Sequence, residues 1–208
     1  MDKFEYENKY YGKGFKFIAG VDEVGRGPLA GPVVCAAVIM PNDDIIEGVD
    51  DSKKLSAKKR AELSAKILEK AIAYSIVEVS ETVIDEINIL EATKRGMVEA
   101  VKNLKTLPDI TLIDGNNLHL PIDAEYIIKG DQKSYTIGCA SIIAKHYRDS
   151  LMIKYASEYP GYAFEKNKGY GSKEHIQAIK GIGPCKLHRR TFIKNFLAES
   201  EKKSPQNS

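Results

Sequence analysis

Phe17-Ile18-Ala19-Gly20-Val21-Asp22-Glu23-Val24-Gly25-Arg26-Gly27-Pro28-Leu29-Ala30-Gly31-Pro32 sets two carboxylates and an arginine at the end of an apolar run. Residues 16–22 read as a β-strand ending at Asp22 and Glu23. Residues 32–40 hold a second apolar run, so the Gly- and Pro-rich segment between them joins two strands. Carboxylates at a strand end can hold a hard cation such as Mg2+ or Mn2+. Glycines such as Gly25 and Gly27 let a backbone come close to a substrate, and Arg26 suits phosphate oxygens. The combination points to metal-assisted chemistry on a polyanion.

The same glycines imitate a dinucleotide fingerprint. Gly31 stands one residue too late for that pattern, and a strand follows where the fingerprint demands a helix. A nicotinamide or flavin site is excluded on spacing and context.

A length of 208 residues with 43% hydrophobic content suits one domain with a core. No apolar run approaches the ~18 residues of a membrane helix, and residues 1–16 lack the apolar stretch of a signal peptide. The expected location is the cytoplasm, with no membrane partner and a monomeric state. Cys35, Cys139 and Cys185 are far apart and odd in number, which reads as buried free thiols. Net charge is only +2, but cations cluster at Lys53-Lys54, at Lys58-Lys59-Arg60 and over residues 166–173 and 186–190. Most of the Lys58–Arg60 group reads as the solvated face of a helix.

Further strands are expected at residues 74–79, 110–113 and 124–128. Helices are expected after Ser56, over residues 82–104 in two segments, over 138–158, from Ser172 to about 180, and over 190–197. Residues 159–171 read as a loop and 199–208 as a disordered tail. The pattern is α/β: a mixed sheet flanked by helices, with a small C-terminal helical extension. Three strands end at acids: Asp22-Glu23, Asp114 and Asp131. Ligands of open α/β folds gather at strand ends, so these carboxylates can meet. Two unpaired anions ~4 Å apart repel by about 4 kcal/mol at an effective dielectric near 20. One or two divalent cations relieve this, and all-oxygen ligation favours Mg2+ or Mn2+ over zinc. His119, His146, His175 and His188 show no zinc-site spacing. Neighbours on a regular strand face opposite ways, so Asp22 and Glu23 share a cluster only if the strand ends or bulges there. Otherwise Glu23 is a solvated loop residue, and Asp114 and Asp131, each beside a glycine, are ordinary turn residues.

Six ordered motifs carry a resemblance to the type 2 ribonucleases H, specifically bacterial ribonuclease HII. They are the segment from Ala19 to Pro32; Asp51-Ser52-Lys53-Lys54-Leu55-Ser56; Ile113-Asp114-Gly115-Asn116; Lys129-Gly130-Asp131; Ala140-Ser141-Ile142-Ile143-Ala144-Lys145 with Arg148-Asp149; and Lys168-Gly169-Tyr170-Gly171-Ser172-Lys173-Glu174-His175. The resemblance implies a ribonuclease H-like catalytic domain over residues 16–198 after an N-terminal extension, 1–15. It implies a metal-dependent endonuclease acting on RNA–DNA hybrids and on duplex DNA with embedded ribonucleotides. Asp22, Glu23, Asp114 and Asp131 would be its catalytic, metal-binding carboxylates. Gly25-Arg26-Gly27 resembles the family's sensor of the ribose 2′-hydroxyl, and Tyr170 its tyrosine that packs on the sugar. Lys53, Lys145, Ser172 and Lys173 resemble phosphate contacts; Lys145 could instead pair with Asp131 or another carboxylate. Asn116 resembles a support or substrate-contact position; Ser134 and Ser141 could serve likewise, but read rather as small residues that allow close packing. A ribonuclease HIII-like preference for long hybrids, or a non-catalytic nucleic-acid-binding module, are the competing readings.

Overall fold

The computed structural model describes residues 3–50, 52–116 and 118–201. Along the chain these form α1 Glu5–Tyr11, β1 Ile18–Val24, β2 Val33–Ile39, α2 Ala57–Lys70, β3 Ala73–Val79, α3 Glu81–Lys102, β4 Ile110–Asp114, β5 Ala124–Ile127, α4 Gly130–Lys133, α5 Tyr135–Glu158, α6 Phe164–Asn167, α7 Lys173–Ile182 and α8 Arg190–Glu201. The strands lie in the order β3-β2-β1-β4-β5. The pairs β1–β2 and β2–β3 are antiparallel, and β1–β4 and β4–β5 are parallel. This is the mixed α/β sheet expected from the sequence. None of the described helices is long and apolar enough to cross a membrane.

β2 is buried along its whole length. Strands covered on both faces read as unbroken apolar runs, which accounts for residues 33–39. Ala19, Val21, Cys35 and Ala37 pack with Ile84, Met97 and Ala100 of α3. Val34, Ala36 and Val38 pack with Leu63 and Ile67 of α2 and with Ile142 and Ile143 of α5. Gly20 is where α5 meets the sheet: a Cβ there would lie 2.2 Å from the backbone of Thr136. Only a glycine lets the start of α5 sit so low on β1, and that sets the height of every side chain further along α5.

Serines begin four of the helices, Ser56 and Ser172 as the sequence predicts and Ser80 and Ser134 in addition. Ser56, Ser80, Ser134 and Ser172 each accept an N–H from the first turn of α2, α3, α5 and α7. The expected break in the 82–104 region falls at Asn88 (φ 67°), whose Oδ1 accepts the N–H groups of Leu90 and Glu91. Four expectations are corrected. α5 begins at Tyr135 rather than 138, because Ser134 supplies the cap. Residues 159–171 contain the short helix α6. β5 ends at Ile127, so Asp131 belongs to α4 rather than to a strand end. α8 continues to Glu201, into the segment expected to be a disordered tail. The remainder of that tail and Asp51 lie outside the described residues.

The N-terminal extension is built into the fold. Glu7, 1% exposed, accepts hydrogen bonds from Ser134 Oγ (2.6 Å), Thr136 N (2.9 Å) and Thr136 Oγ1 (2.8 Å). Its carboxylate thus sits at the positive end of α5. Tyr10 donates to Glu125 at 2.6 Å, tying α1 to β5 as well.

Candidate active site

The parallel pairing of β1 with β4 matches Val21 to Ile113. One residue further along, Asp22 and Asp114 are therefore neighbours on the same face of adjacent strands. Asp22 is 6% exposed. Its Oδ1 accepts the N–H of Glu23 at 2.7 Å, and the hydroxyl of Ser141 on α5 bonds to its carboxylate. Ser141 Oγ in turn lies 2.9 Å from Ser52 Oγ. Burial, then the charges of Glu23 and Asp114, push the Asp22 carboxyl well above its usual range.

β1 holds an unbroken register with β2 through Val24, so the expected strand end or bulge at Asp22-Glu23 is absent. The pleat sends Glu23 to the face opposite Asp22. Burial raises the Glu23 carboxyl, Arg26 opposes the rise, and Asp114 adds to it. Arg26 Nη1 stands 3.4 Å from Glu23 Oε1. Asp114 Oδ1 accepts the N–H of Gly130 at 2.6 Å. Asp131 is the next residue, in the first turn of α4 and 7% exposed.

The structure thus gathers Asp22, Glu23 and Asp114 by charge and brings Asp131 beside Asp114 through Gly130. Among the described residues no three Asp, Glu, His or Cys side chains are placed to hold an ion together. The donor set nevertheless fits a hard cation in kind: carboxylate oxygens only, two of the groups pushed up by burial and further by like charge.

A cleft of about 380 Å³ opens beside Asp22 and Glu23, lined also by Ser52, Lys53, Lys145 and Tyr170. Tyr170 is 44% exposed there. Lys145 pairs with Asp149 (2.7 Å), which settles its partner against Asp131. Arg60 departs from the solvated face expected for its cluster. It is buried and donates to Ser52 O (2.6 Å), Leu55 O (2.9 Å) and Asp149 (3.2 Å), fixing the loop that carries Lys53. Ser172 caps α7 through the N–H of His175, and Lys173, the first residue of that helix, is exposed. Asn116 is also exposed, while Ser134 is spent on the cap of α5 and on Glu7.

Two fully buried arginines, absent from the sequence-based site, shape the segment after β1. Arg189 donates to Gly25 O (2.5 Å), Arg26 O (2.8 Å) and twice to Gly31 O (2.8 and 3.0 Å). Arg148 donates to Pro32 O (2.9 Å), Ala30 O (3.1 Å) and Lys168 O (2.9 Å). Burial lowers them to about 9 and about 10. Gly25, at φ +93°, is required twice over: a Cβ would also fall 2.2 Å from Arg148 Nε. The one sequence signal was a basic run over 186–190, which looks like surface charge.

The family model described as Ribonuclease HII matches residues 19–195. The chain is 54% identical to Ribonuclease HII of Caldicellulosiruptor bescii over 196 residues, covering 94% of this chain and 95% of that protein. Its fold matches the crystal structure of ribonuclease H2 from Pyrococcus horikoshii OT3 with a TM-score of 0.75, 27% identity, and coverage of 90% of this chain and all of the other. Bst-RNase HIII in complex with Mn2+ shares the fold at a TM-score of 0.66 and 19% identity, over 90% of this chain and 71% of that one.

Proposed function

This chain belongs to the ribonuclease HII family and is a ribonuclease H acting on RNA–DNA hybrids; we propose that it also incises 5′ to single ribonucleotides embedded in duplex DNA, with one or two Mn2+ or Mg2+ ions. The observation that carries this reading is the placing of Asp22 beside Asp114 on adjacent parallel strands, with the Asp22 carboxyl raised by burial and then by the charges of Glu23 and Asp114. Such a pair costs stability unless a cation or a proton accompanies it. The chemistry a bound divalent ion supplies is activation of water and neutralisation of charge on phosphoryl oxygens.

Asp22 and Asp114 are the main ligands in this reading. Glu23, on the other face of β1, contributes through its side chain at the rim or its main-chain carbonyl. Asp131 orients water or an ion on the nucleophile side. Gly25-Arg26-Gly27 meets the ribose 2′-hydroxyl, the group that separates RNA from DNA. Arg189 holds the carbonyls of Gly25 and Arg26, so the exposed Arg26-Gly27 stretch keeps one conformation. Tyr170 offers a ring to the sugar from the far wall of the cleft. Lys53, Lys145, Ser172 and Lys173 steer the phosphate backbone, which positions without reading sequence. All three thiols are free, which suits a reducing cytoplasm; Cys35 and Cys139 are buried as expected, while Cys185 is only half-buried.

The test is a labelled DNA duplex carrying one ribonucleotide, incubated with Mn2+, Mg2+ or EDTA beside an all-DNA control. The expected result is a metal-dependent nick 5′ to the ribonucleotide, absent from the control. Cleavage confined to long hybrids would replace this reading with the HIII-like one.

A further inference from the structure

Tyr170 and the 25–31 segment are joined through the interior by two histidines that the chemistry above does not use. His175, in the first turn of α7, is fully buried, and its Nδ1 lies 2.8 Å from the carbonyl oxygen of Tyr170. Its Nε2 lies 3.0 Å from Nε2 of His188, also buried. His188 immediately precedes Arg189 and forms an antiparallel bridge with Ala30. Around that bridge Gly31 N donates to Leu187 O at 2.8 Å and Arg189 N to Leu29 O at 2.9 Å. The Nδ1 of His188 faces the N–H of Cys185 at 3.0 Å, its Sγ at 3.2 Å and, less closely, its carbonyl oxygen at 3.4 Å. The rings of Tyr162 and Phe164 wall in the pair.

The protons follow from the partners. A neutral imidazole carries one N–H, and a carbonyl only accepts. His175 therefore carries its proton on Nδ1, toward Tyr170. Its Nε2 is a bare lone pair, so the proton between the rings belongs to His188 Nε2. His188 Nδ1 is left bare to accept from Cys185. Every atom of the chain Cys185 N–H, His188, His175, Tyr170 C=O then has the role its neighbour needs. A second proton on either ring would set two N–H groups against each other. Burial keeps both rings neutral, with His188 held down to about 4.

We propose that the His175–His188 dyad is a positioning unit for ribonucleotide specificity. It ties Tyr170 to the segment carrying Arg189, and so holds the ring that meets the sugar at a set distance from Gly25-Arg26-Gly27. Arg148 and the N–H of Leu29 tie down Lys168 and Gly169, just before Tyr170. The dyad makes the tie at Tyr170 itself. This rests on the reading of Tyr170 and Gly25-Arg26-Gly27 as ribose-facing groups.

Two measurements on the full chain test it. Nitrogen-15 NMR of the imidazoles at neutral pH is expected to show His175 protonated at Nδ1 alone and His188 at Nε2 alone; both rings protonated at Nε2 would overturn the proposal. In kinetics on the single-ribonucleotide duplex, His188→Leu removes the inter-ring proton, whereas His188→Gln keeps an amide donor at that reach. The expected loss for His188→Leu is about 10- to 100-fold in kcat, the scale of an ångström-sized misplacement. KM should hold within about twofold, since phosphate contacts seat the duplex, and His188→Gln should recover most of the loss. An equal loss in both variants, or a loss confined to KM, would overturn it. Should His188→Leu not fold, as judged by circular dichroism, the tautomers of the native chain decide. A native enzyme that does not nick at the ribonucleotide removes the underlying reading, and the proposal with it, whatever the tautomers show.

Discussion

Residues 22–23 and residues 25–31 are adjacent in sequence, and they handle burial in opposite ways. Asp22 is almost wholly enclosed with Glu23 and Asp114 as charged neighbours, and its carboxyl is raised by burial and then by their repulsion. The carbonyls of Gly25, Arg26, Ala30, Gly31 and Pro32 are met by the guanidiniums of Arg189 and Arg148. The first stretch withholds stability that a ligand can return. The second is complete without any ligand. A site that must select one sugar needs both: charge that responds to the substrate's companions, and a frame that does not move when they arrive.

Removing one carboxylate breaks the comparison most forcefully. Asp114→Asn should cost several kcal/mol of transition-state stabilisation, on the order of 10³-fold in kcat, while hybrid binding persists. A gel assay of cleavage beside a binding assay measures both; full cleavage would remove Asp114 from the mechanism. Asp22→Asn should likewise silence cleavage yet raise Tm in EDTA, by about 2–4 °C for each kcal/mol of repulsion relieved. Divalent metal should raise Tm in the native chain, by about 2.7 kcal/mol of linkage at a hundredfold excess over Kd, and much less in Asp22→Asn. Equal metal responses would separate the repulsion from any ion site.

Cutting the frame should act on stability first. Arg189→Met leaves buried carbonyls without donors, at about 1–3 kcal/mol for each unmet group. Arg189→Lys should rescue little, because an ammonium cannot span the carbonyls that the planar fork reaches. Chemical denaturation measures both variants.

Acid should act with opposite sign on Asp22 and on His188, which bridges Ala30 of the second stretch. His188 is depressed from 6.5 to about 4 by burial, by His175 and by Arg190, against the carbonyl of Cys185. Stability from its neutral ring is fully present above pH 6.5 and is lost as pH falls toward 4. Asp22 is raised, so its protonation favours the fold and stability returns as pH falls through its elevated pKa. Tm followed from pH 7 to 4 should therefore drop more steeply in Asp22→Asn than in the native chain. A parallel drop in both would refute the opposition.

The smallest effect belongs to the exposed Arg26. Its 3.4 Å pair with Glu23 is worth about 0–1 kcal/mol in stability. Arg26→Ala should instead weaken the preference for ribose over deoxyribose at the nick. An unchanged preference would hand that task to the backbone of Gly25 and Gly27.

The sheet was legible because apolar runs at residues 17–21, 33–39 and 110–113 are local signals. The convergence of Asp22 and Asp114 was legible as acids at strand ends, and parallel pairing then made them neighbours. Asp131 was read on the wrong element, because a four-residue helix leaves no period to detect. Arg60, Arg148 and Arg189 were illegible as structural groups. A guanidinium that spends its donors on main-chain carbonyls looks, in sequence, like any surface cation. Glu7 was hidden for the same reason: its partners stand 127 and 129 residues away.

The bond from Arg189 to Gly25 spans 164 residues. During synthesis the glycine loop is made among the first segments and its clasp among the last. Until residue 189 has emerged, the carbonyls of Gly25, Arg26 and Gly31 lack the guanidinium that meets them, and closing so long a chain segment is entropically slow. A nascent or prematurely ended chain therefore carries Asp22 and Glu23 on a strand but lacks the Arg189 clasp on the loop that follows. The shape of the loop after β1 is thus completed by the C-terminal segment, late in synthesis.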